Sequence, residues 1–533
     1  MPAAASNPGN PGGGNLGGAR PIAGVGTSTA AFVGWADKGP TNIAVLVESW
    51  TDFQAQFGGL SGSNGVPNYL GYSVSQFFGN GGQQAYIVRI AWDGSLAWAG
   101  APSPSQPARA ASATGIGGAF TLYASSPGAW GNNLAVKVLP EPSPSTSFTV
   151  RVLDGSGNLL EDFASLSVSP ASARYVVTVI DEESQNVTYS NPALPPNAVL
   201  PAPVQPGPTP AAGVQLAGGL DGPVLVPGDV NFETALGARG AAIGDNAYGV
   251  GLLNRVGIFS ILCVPGEADE ATIRNLQKYC VGKRVFYLVD SPRAVTRDAL
   301  FRGELGTVPS GGPQRSLTGR DSRNSAYYYP WVVAPDPLAG DSPALFPPSG
   351  FLAGIYACND LNRGVWTAPA GIAASLAGAT GLHDSLTDME TVDLSADGIN
   401  CLRQFAAYGI VPWGARTLAG SDQDSSQWKY IQVRRLAIFI ESSLIGGLQW
   451  VAFEPNDQPL WGQIALSVSS FMQSLFQQGS FQGIEPSEAY FVTCDSENNP
   501  QSSIDLGVVN ILVGSAPVFP AEFVLIQIQL LAG

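Results

Sequence analysis

The sequence predicts a mixed α/β protein of several domains, and three observations carry that prediction. Residues 255–380 alternate apolar runs with helical periodicity, the rhythm of βαβ units around a parallel sheet. Upstream lies a stretch of short β-rich runs separated by Gly, Pro and Ser clusters. Downstream, apolar residues step by three and four along two segments, as amphipathic helices do. At 533 residues the chain has room for about three or four domains.

Taken in order, residues 1–21 are mostly Gly, Pro, Asn and Ala, too poor in apolar area to offset ordering entropy, and read as a flexible arm. Thr29–Trp35 reads as a buried strand. Leu70–Phe78 reads as a helix stopped by Gly79-Asn-Gly-Gly82, and Ala85–Ile90 as a strand. Residues 22–95 form a first domain segment. Residues 96–230 read as an inserted β-rich domain, with β runs at Phe120–Tyr123, Leu134–Leu139, Phe148–Leu153 and Tyr175–Ile180. A proline-dense linker spans Pro192–Pro210. Residues 231–394 hold the βαβ rhythm: strand Val256–Val264, helix Ala268–Val281, strand Val285–Val289, a strand at Tyr327–Val333 and a helix at Gly350–Asn359.

In residues 395–520, Ile399, Leu402 and Phe405 predict a helix ended by Gly409, followed by a strand Ile410–Trp413. Val433, Leu436, Ile440 and Leu444 predict one amphipathic helix. Trp461, Ile464, Val468, Phe471 and Leu475 predict another, with Asp457 as N-cap and Pro459 in its first turn. Tyr490–Cys494, Val508–Val513 and Phe523–Leu530 read as strands. The last belongs to a terminal segment, 521–533.

Composition narrows the function. The formal charge is −16, with only 12% charged residues. An acidic chain lacks the basic stripe that phosphate neutralisation demands, so no nucleic-acid partner is expected. No apolar run reaches the roughly 18 residues of a membrane span, and no membrane insertion is expected. The N-terminus carries no secretory pattern. Five scattered cysteines without a CxxC pair suit reduced thiols in the cytosol.

The chemistry search predicts no catalytic residue, no cofactor and no metal. The single histidine, His383, sits beside Asp384 in a polar stretch, without a GxSxG elbow. Cys263, Cys280 and Cys358 lie in apolar contexts and read as core. Gly24 and Gly26 are followed by Thr29 where a dinucleotide fingerprint needs glycine, and Gly282-Lys283 lacks the rest of a P-loop. Asp290 and Asp336 follow strands, where capping is the commoner use, and Asp457 beside Glu454 reads as a cap. A terminal strand with two largely apolar faces is hazardous as a free edge and safe when it pairs with another chain.

Several motifs, in order, resemble contractile tail sheath proteins: Gly24-Val-Gly-Thr-Ser-Thr-Ala-Ala-Phe-Val-Gly34, Leu70-Gly-Tyr-Ser-Val-Ser-Gln-Phe-Phe78, Ser126-Pro-Gly-Ala-Trp-Gly-Asn132, Val411-Pro-Trp-Gly-Ala-Arg-Thr417, Trp428-Lys-Tyr430, Val433-Arg-Arg435, Gln449-Trp-Val-Ala-Phe-Glu-Pro-Asn456 and Ala516-Pro-Val-Phe-Pro-Ala-Glu-Phe523. The resemblance implies an inner α+β domain built from both chain ends, a central domain of subtilisin-like fold without protease activity, and an inserted outer domain. It implies a homo-oligomer of stacked hexameric rings around an inner tube protein, with baseplate and tail-terminator partners. Such a particle would be assembled in the cytoplasm and released as a phage tail-like body. Contraction would drive the tube through a target envelope. The inter-subunit strand would be Phe523, Val524, Leu525, Ile526, Gln527, Ile528, Gln529 and Leu530. Candidate tube-facing cations are Lys429, Arg434 and Arg435. In place of the family's usual first strand stands Pro8-Gly-Asn-Pro-Gly-Gly-Gly14, so the N-terminal arm is expected to pair weakly or through Ile22–Thr27. The alternatives are a self-assembling surface-layer or adhesin-like protein, and an α/β serine hydrolase using His383.

Overall fold

The computed structural model describes residues 19–63, 66–92, 109–118, 120–142, 146–190, 201–239, 243–244, 248–308, 317–424 and 426–520. These fall into two compact units: residues 26–435, and residues 19–25 with 436–520.

The larger unit is organised by an eight-stranded sheet. Its order is Val45–Val47, Ala85–Arg89, Ala30–Gly34, Ile261–Cys263, Phe286–Asp290, Ser325–Tyr329, Ile399–Phe405 and Gly409–Pro412. The six inner strands run parallel and the two edge strands antiparallel. Parallel strands need both faces covered, and side chains alternate accordingly. On one face Phe32 meets Phe77 of helix Tyr69–Gly79, with ring centroids 5.4 Å apart. On the same face the Tyr328 and Tyr356 hydroxyls lie 2.7 Å apart, the latter on helix Ser349–Arg363. On the other face Tyr287, Val289 and Tyr327 join Ile273, Leu276 and Cys280 of helix Glu270–Lys283 in one core cluster. Gly350 and Gly354 let two helices meet closely. A Cβ at Gly350 would fall 2.5 Å from Ser73 Cα, and one at Gly354 2.6 Å from Phe77 O.

Residues between the first strands and this core build a separate β-rich part. A four-stranded sheet (Leu159–Leu166, Phe148–Leu153, Ala135–Pro140, Val214–Gln215) and a three-stranded one (Val187–Thr188, Phe120–Ala124, Ser112–Ile116) share a core of Leu122, Val136, Val138, Phe148, Val150 and Ile180.

Four expected elements differ. Tyr175–Ile180, read as β, opens the helix Val176–Glu183, whose Val176, Val179 and Ile180 are buried at helical spacing. Ile399–Phe405, read as a helix, is a strand: Tyr327 pairs with Ile399 in parallel register, and a hairpin returns through Gly409–Pro412. The helix lies just upstream at Asp388–Ala396, opened by a capping box of Thr387 and Glu390. Of Val256–Val264 only Ile261–Cys263 is strand, and Ile258 is 56% exposed. Tyr327–Val333 is split at the cis Tyr329–Pro330 bond into Ser325–Tyr329 and Val332–Asp336, which belong to different sheets. Proline has no N–H with which to continue a ladder.

In the smaller unit the two amphipathic helices stand as expected. Ile431–Gly447 crosses the division between units. Gln458–Gln477 is capped by Asp457, whose side chain accepts from Leu460 N. The last described strands are Tyr490–Thr493 and Leu512–Ser515, the second displaced from the expected 508–513.

Candidate assembly surface

The smaller unit ends in a two-stranded antiparallel sheet, with Tyr490 opposite Ser515, Phe491 opposite Gly514, Val492 opposite Val513 and Thr493 opposite Leu512. Period-two alternation puts Tyr490, Val492, Val513 and Ser515 on one face. There the Tyr490 hydroxyl donates to Gln473 Oε1 of helix Gln458–Gln477 at 2.9 Å. The opposite face carries Phe491 (54% exposed) and Leu512 (55% exposed). The Phe491 ring covers Gly514: a Cβ there would meet Phe491 Cε1 at 2.1 Å. The loop between the strands is pinned by amides, with Asn498 Nδ2 donating to Thr493 O (2.9 Å) and Asn510 O (3.0 Å).

Among the described residues no third strand pairs with this sheet; just past Ser515, Ala516 N donates to Ala489 O, Gln482 N donates to Ala516 O, and Phe481 forms a bridge with Pro517. Two strands alone are marginal. Open edges beside an exposed apolar face are a template for an added strand. Ile484, Leu506, Val508, Val518 and Phe519 in the same unit are exposed as well.

At the other chain end, residues 19–25 form a strap over the helices of the same unit. Arg20 N donates to Ser467 Oγ at 2.9 Å, and its guanidinium lies 4.2 Å from the Trp450 ring centroid. Val25 N donates to Ser443 Oγ at 3.1 Å. Ile22 packs so tightly on Gly447 that a Cβ there would fall 2.6 Å from Ile22 Cγ2. Residues 22–27, expected to be the pairing part of the arm, are not a strand here. Their backbone is fixed by side-chain hydroxyls and close packing.

The three candidate cations separate. Arg434 is 4% exposed and Arg435 3%. Arg434 Nε donates to Asn324 Oδ1 at 2.7 Å, and its guanidinium lies over Trp428. Arg435 grips Asp360 through two bonds of 2.7 Å and donates to Thr27 O at 3.1 Å. Burial pushes the Asp360 carboxyl up and Arg435 pulls it back. Both arginines are therefore interior pins, correcting their expected place on a surface. Lys429 keeps its amine partly open, bound to Asp422 at 2.6 Å. The terminal strand Phe523–Leu530 lies outside the described residues.

Residues 423–530 match the family model of the phage tail sheath C-terminal domain. This segment is similar to the C-terminal domain of phage tail sheath proteins. The chain's fold extends the match over nearly the whole sheath chain. The sheath in the contracted PVC complex, from an extracellular contractile injection system, is 20% identical with a TM-score of 0.56, covering 99% of this chain and 98% of that one. The contracted helical sheath of the anti-feeding prophage is 21% identical, with a TM-score of 0.55 and 99% of each chain covered. A sheath tail protein of Listeria innocua is 13% identical, with a TM-score of 0.58 and coverage of 93% and 96%. A search of curated protein sequences returned no match.

In this chain the residues weighed for catalysis have structural work. Asp290, fully buried, accepts from Gly266 N (2.9 Å), Ser349 N (2.8 Å) and Ser349 Oγ (2.7 Å), tying a strand end to the start of helix Ser349–Arg363. Burial raises its carboxyl to about 6 against those donors. Asp336 caps the next turn through Leu338 N and accepts the Tyr72 hydroxyl at 2.5 Å. His383 is exposed, and its backbone N–H donates to Trp331 O. Cys263 and Cys280 are buried, and Cys358 is half-buried. The strap's hydroxyl partners Ser443 and Ser467 carry no motif of their own in the sequence. Small polar residues inside amphipathic helices were the available signal.

Proposed function

We propose that this protein is the polymerising subunit of a contractile sheath, built as stacked hexameric rings around an inner tube. The observation that carries the proposal is the sheet of Tyr490–Thr493 and Leu512–Ser515, which no third strand joins among the described residues and which has an exposed apolar face. A strand from a neighbouring copy, Phe523–Leu530, would extend it through backbone hydrogen bonds. Such bonds hold register without demanding particular side chains, so subunits can stay linked while they rotate and slide during contraction.

On this reading residues 22–95 and 395–520 form the inner domain, 96–230 the outer insertion and 231–394 the central domain. The arms 1–21 and 521–533 serve as links. Lys429 is the remaining candidate for contact with an acidic tube. Baseplate and terminator proteins would cap the two ends, and the particle would act outside the cell. We assign no reaction to the chain.

The test is deletion of residues 521–533. The truncated chain should stay soluble and folded, and negative-stain microscopy should find neither rings nor tubes where the full chain forms them. Normal tubes from the truncated chain would overturn the donated strand.

A further inference from the structure

We propose that the cavity at the carboxyl end of strand Ala30–Gly34 is a binding site for a neutral, hydroxyl-rich ring compound of hexose size. The topology places it. Ala30–Gly34 is flanked by Ala85–Arg89 on one side and Ile261–Cys263 on the other. The chain leaves the first strand toward one neighbour and later returns on the opposite side, so the strand order reverses there. The cavity lies beside that reversal, beyond the carboxyl ends of Ala30–Gly34 and Ala85–Arg89, and the carboxyl ends of parallel strands are where open sheets bind ligands.

A cavity of about 410 Å³ opens at this point, within the range of small-molecule sites. The sheet contributes Trp35, Asp37 and Arg89, and the β-rich part contributes Trp130, Asn133 and Asp221. Its walls are held rigidly. Arg89, 2% exposed, donates to Ala36 O (2.7 Å), Gly39 O (2.7 Å) and Asp37 O (3.1 Å), fixing the loop after the first strand. Gly39 N donates to Ser126 Oγ at 2.9 Å. Gly128 has φ +142°, and a Cβ there would fall 2.5 Å from Asp37 O and 2.6 Å from Trp130 Cδ1. Backbone therefore touches backbone across the two parts, and the Trp130 ring is boxed in.

Within these walls some hydrogen-bonding capacity is unused. Trp130 Nε1–H is buried without an acceptor. Asp37 accepts on Oδ1 from Ser61 Oγ (2.9 Å), and Asp221 on Oδ1 from Ala129 N (2.7 Å). Among the described residues, the second oxygen of each carboxylate has no hydrogen-bond donor.

The charges select against an ion. Two carboxylates and the Arg89 guanidinium line the cavity, and outside the lining the Lys38 amine lies 5.6 Å from the Trp130 ring centroid. An anion would meet Asp37 and Asp221, and a cation would meet Arg89. A neutral polyol ring satisfies the whole set: its C–H face lies on indole, its hydroxyls donate to the carboxylates, and one oxygen accepts from Trp130 Nε1.

The test is saturation-transfer NMR on the full chain with glucose, mannose and N-acetylglucosamine, with glucuronate and glucosamine as charged controls. At least one neutral sugar should bind in the millimolar range, and more tightly than both charged probes. Trp130→Phe, which keeps a ring and removes the donor, should weaken binding roughly tenfold. Asp221→Asn keeps the acceptor for Ala129 N, and should weaken binding similarly if Trp130→Phe fails to fold. Absence of transfer from every neutral sugar, preference for a charged probe, or unchanged affinity in folded Asp221→Asn would each overturn the proposal.

Discussion

The Arg435–Asp360 pair permits a sharp test of what holds the larger unit together. Both side chains are almost wholly out of water, at 3% and 1% exposure, and they meet through two parallel bonds of 2.7 Å. Asp360 sits on helix Ser349–Arg363, 75 residues before its partner, and Arg435 also reaches Thr27 O near the first strand. The pair thus joins three distant stretches of chain. Asp360→Ala would leave a guanidinium in the interior with, among the described residues, the Thr27 carbonyl and the Tyr356 ring 5.0 Å away. Removing one partner of a buried pair costs roughly 3–5 kcal/mol, because the remaining charge loses water without compensation. The isolated charge is the source of that cost, so the double variant Asp360→Leu/Arg435→Met should recover most of it, ending within about 1 kcal/mol of the parent. Urea unfolding followed by circular dichroism measures all of these. A loss below about 1 kcal/mol for Asp360→Ala, or a double variant as damaged as the single one, would refute the reasoning.

Glu267 is fully buried, and burial, opposed by bonds from Asp269 N and Gly228 N, pushes its carboxyl up to about 8. Its folded pKa lies above the unfolded value, so the native state holds the extra proton: its contribution is complete below about pH 4.5 and drains away as pH rises to about 8. Stability should fall over that window, and Glu267→Gln should flatten the profile in unfolding measured from pH 5 to 9. Gly128→Ala forces a side chain into a left-handed, crowded position and should destabilise by about 1–3 kcal/mol, seen as a lower urea midpoint. Asp457→Ala removes the acceptor for Leu460 N and should cost about 1 kcal/mol, read in the same assay.

Periodicity was readable wherever one side of an element faced the core and the other did not. The helix Gln458–Gln477 shows this best: Trp461, Ile464, Val468, Phe471 and Leu475 share a buried stripe, and Asp457 with Pro459 announces its start. The same logic failed for Ile399–Phe405. There Ile399, Asn400, Cys401 and Leu402 are all buried, so neither period is visible, and pairing with Ser325–Tyr329 decides the conformation. At Val176–Glu183 β-branched residues suggested a strand, and packing against the β-rich core chose a helix. The Thr387-Glu390 capping box was legible and would have placed the helix at Asp388–Ala396.

The assembly surface divided in the same way. Motif order alone pointed to a resemblance to sheath proteins, and of the strands read in the last hundred residues Tyr490–Thr493 stands where expected while Leu512–Ser515 is displaced. Neither could tell that Arg434 and Arg435 turn inward. A charged residue on an amphipathic helix normally faces water, and distant partners, Asn324 for one and Asp360 with Thr27 for the other, help make burial tolerable. Local sequence thus determined the elements whose two sides differ in polarity, and carried the likeness of residues 423–530 to the phage tail sheath C-terminal domain. The tertiary structure decided where long-range pairs bury charge, how the last described strands pair with one another, and how close two backbones may come at Gly128, because each depends on residues far apart in the chain.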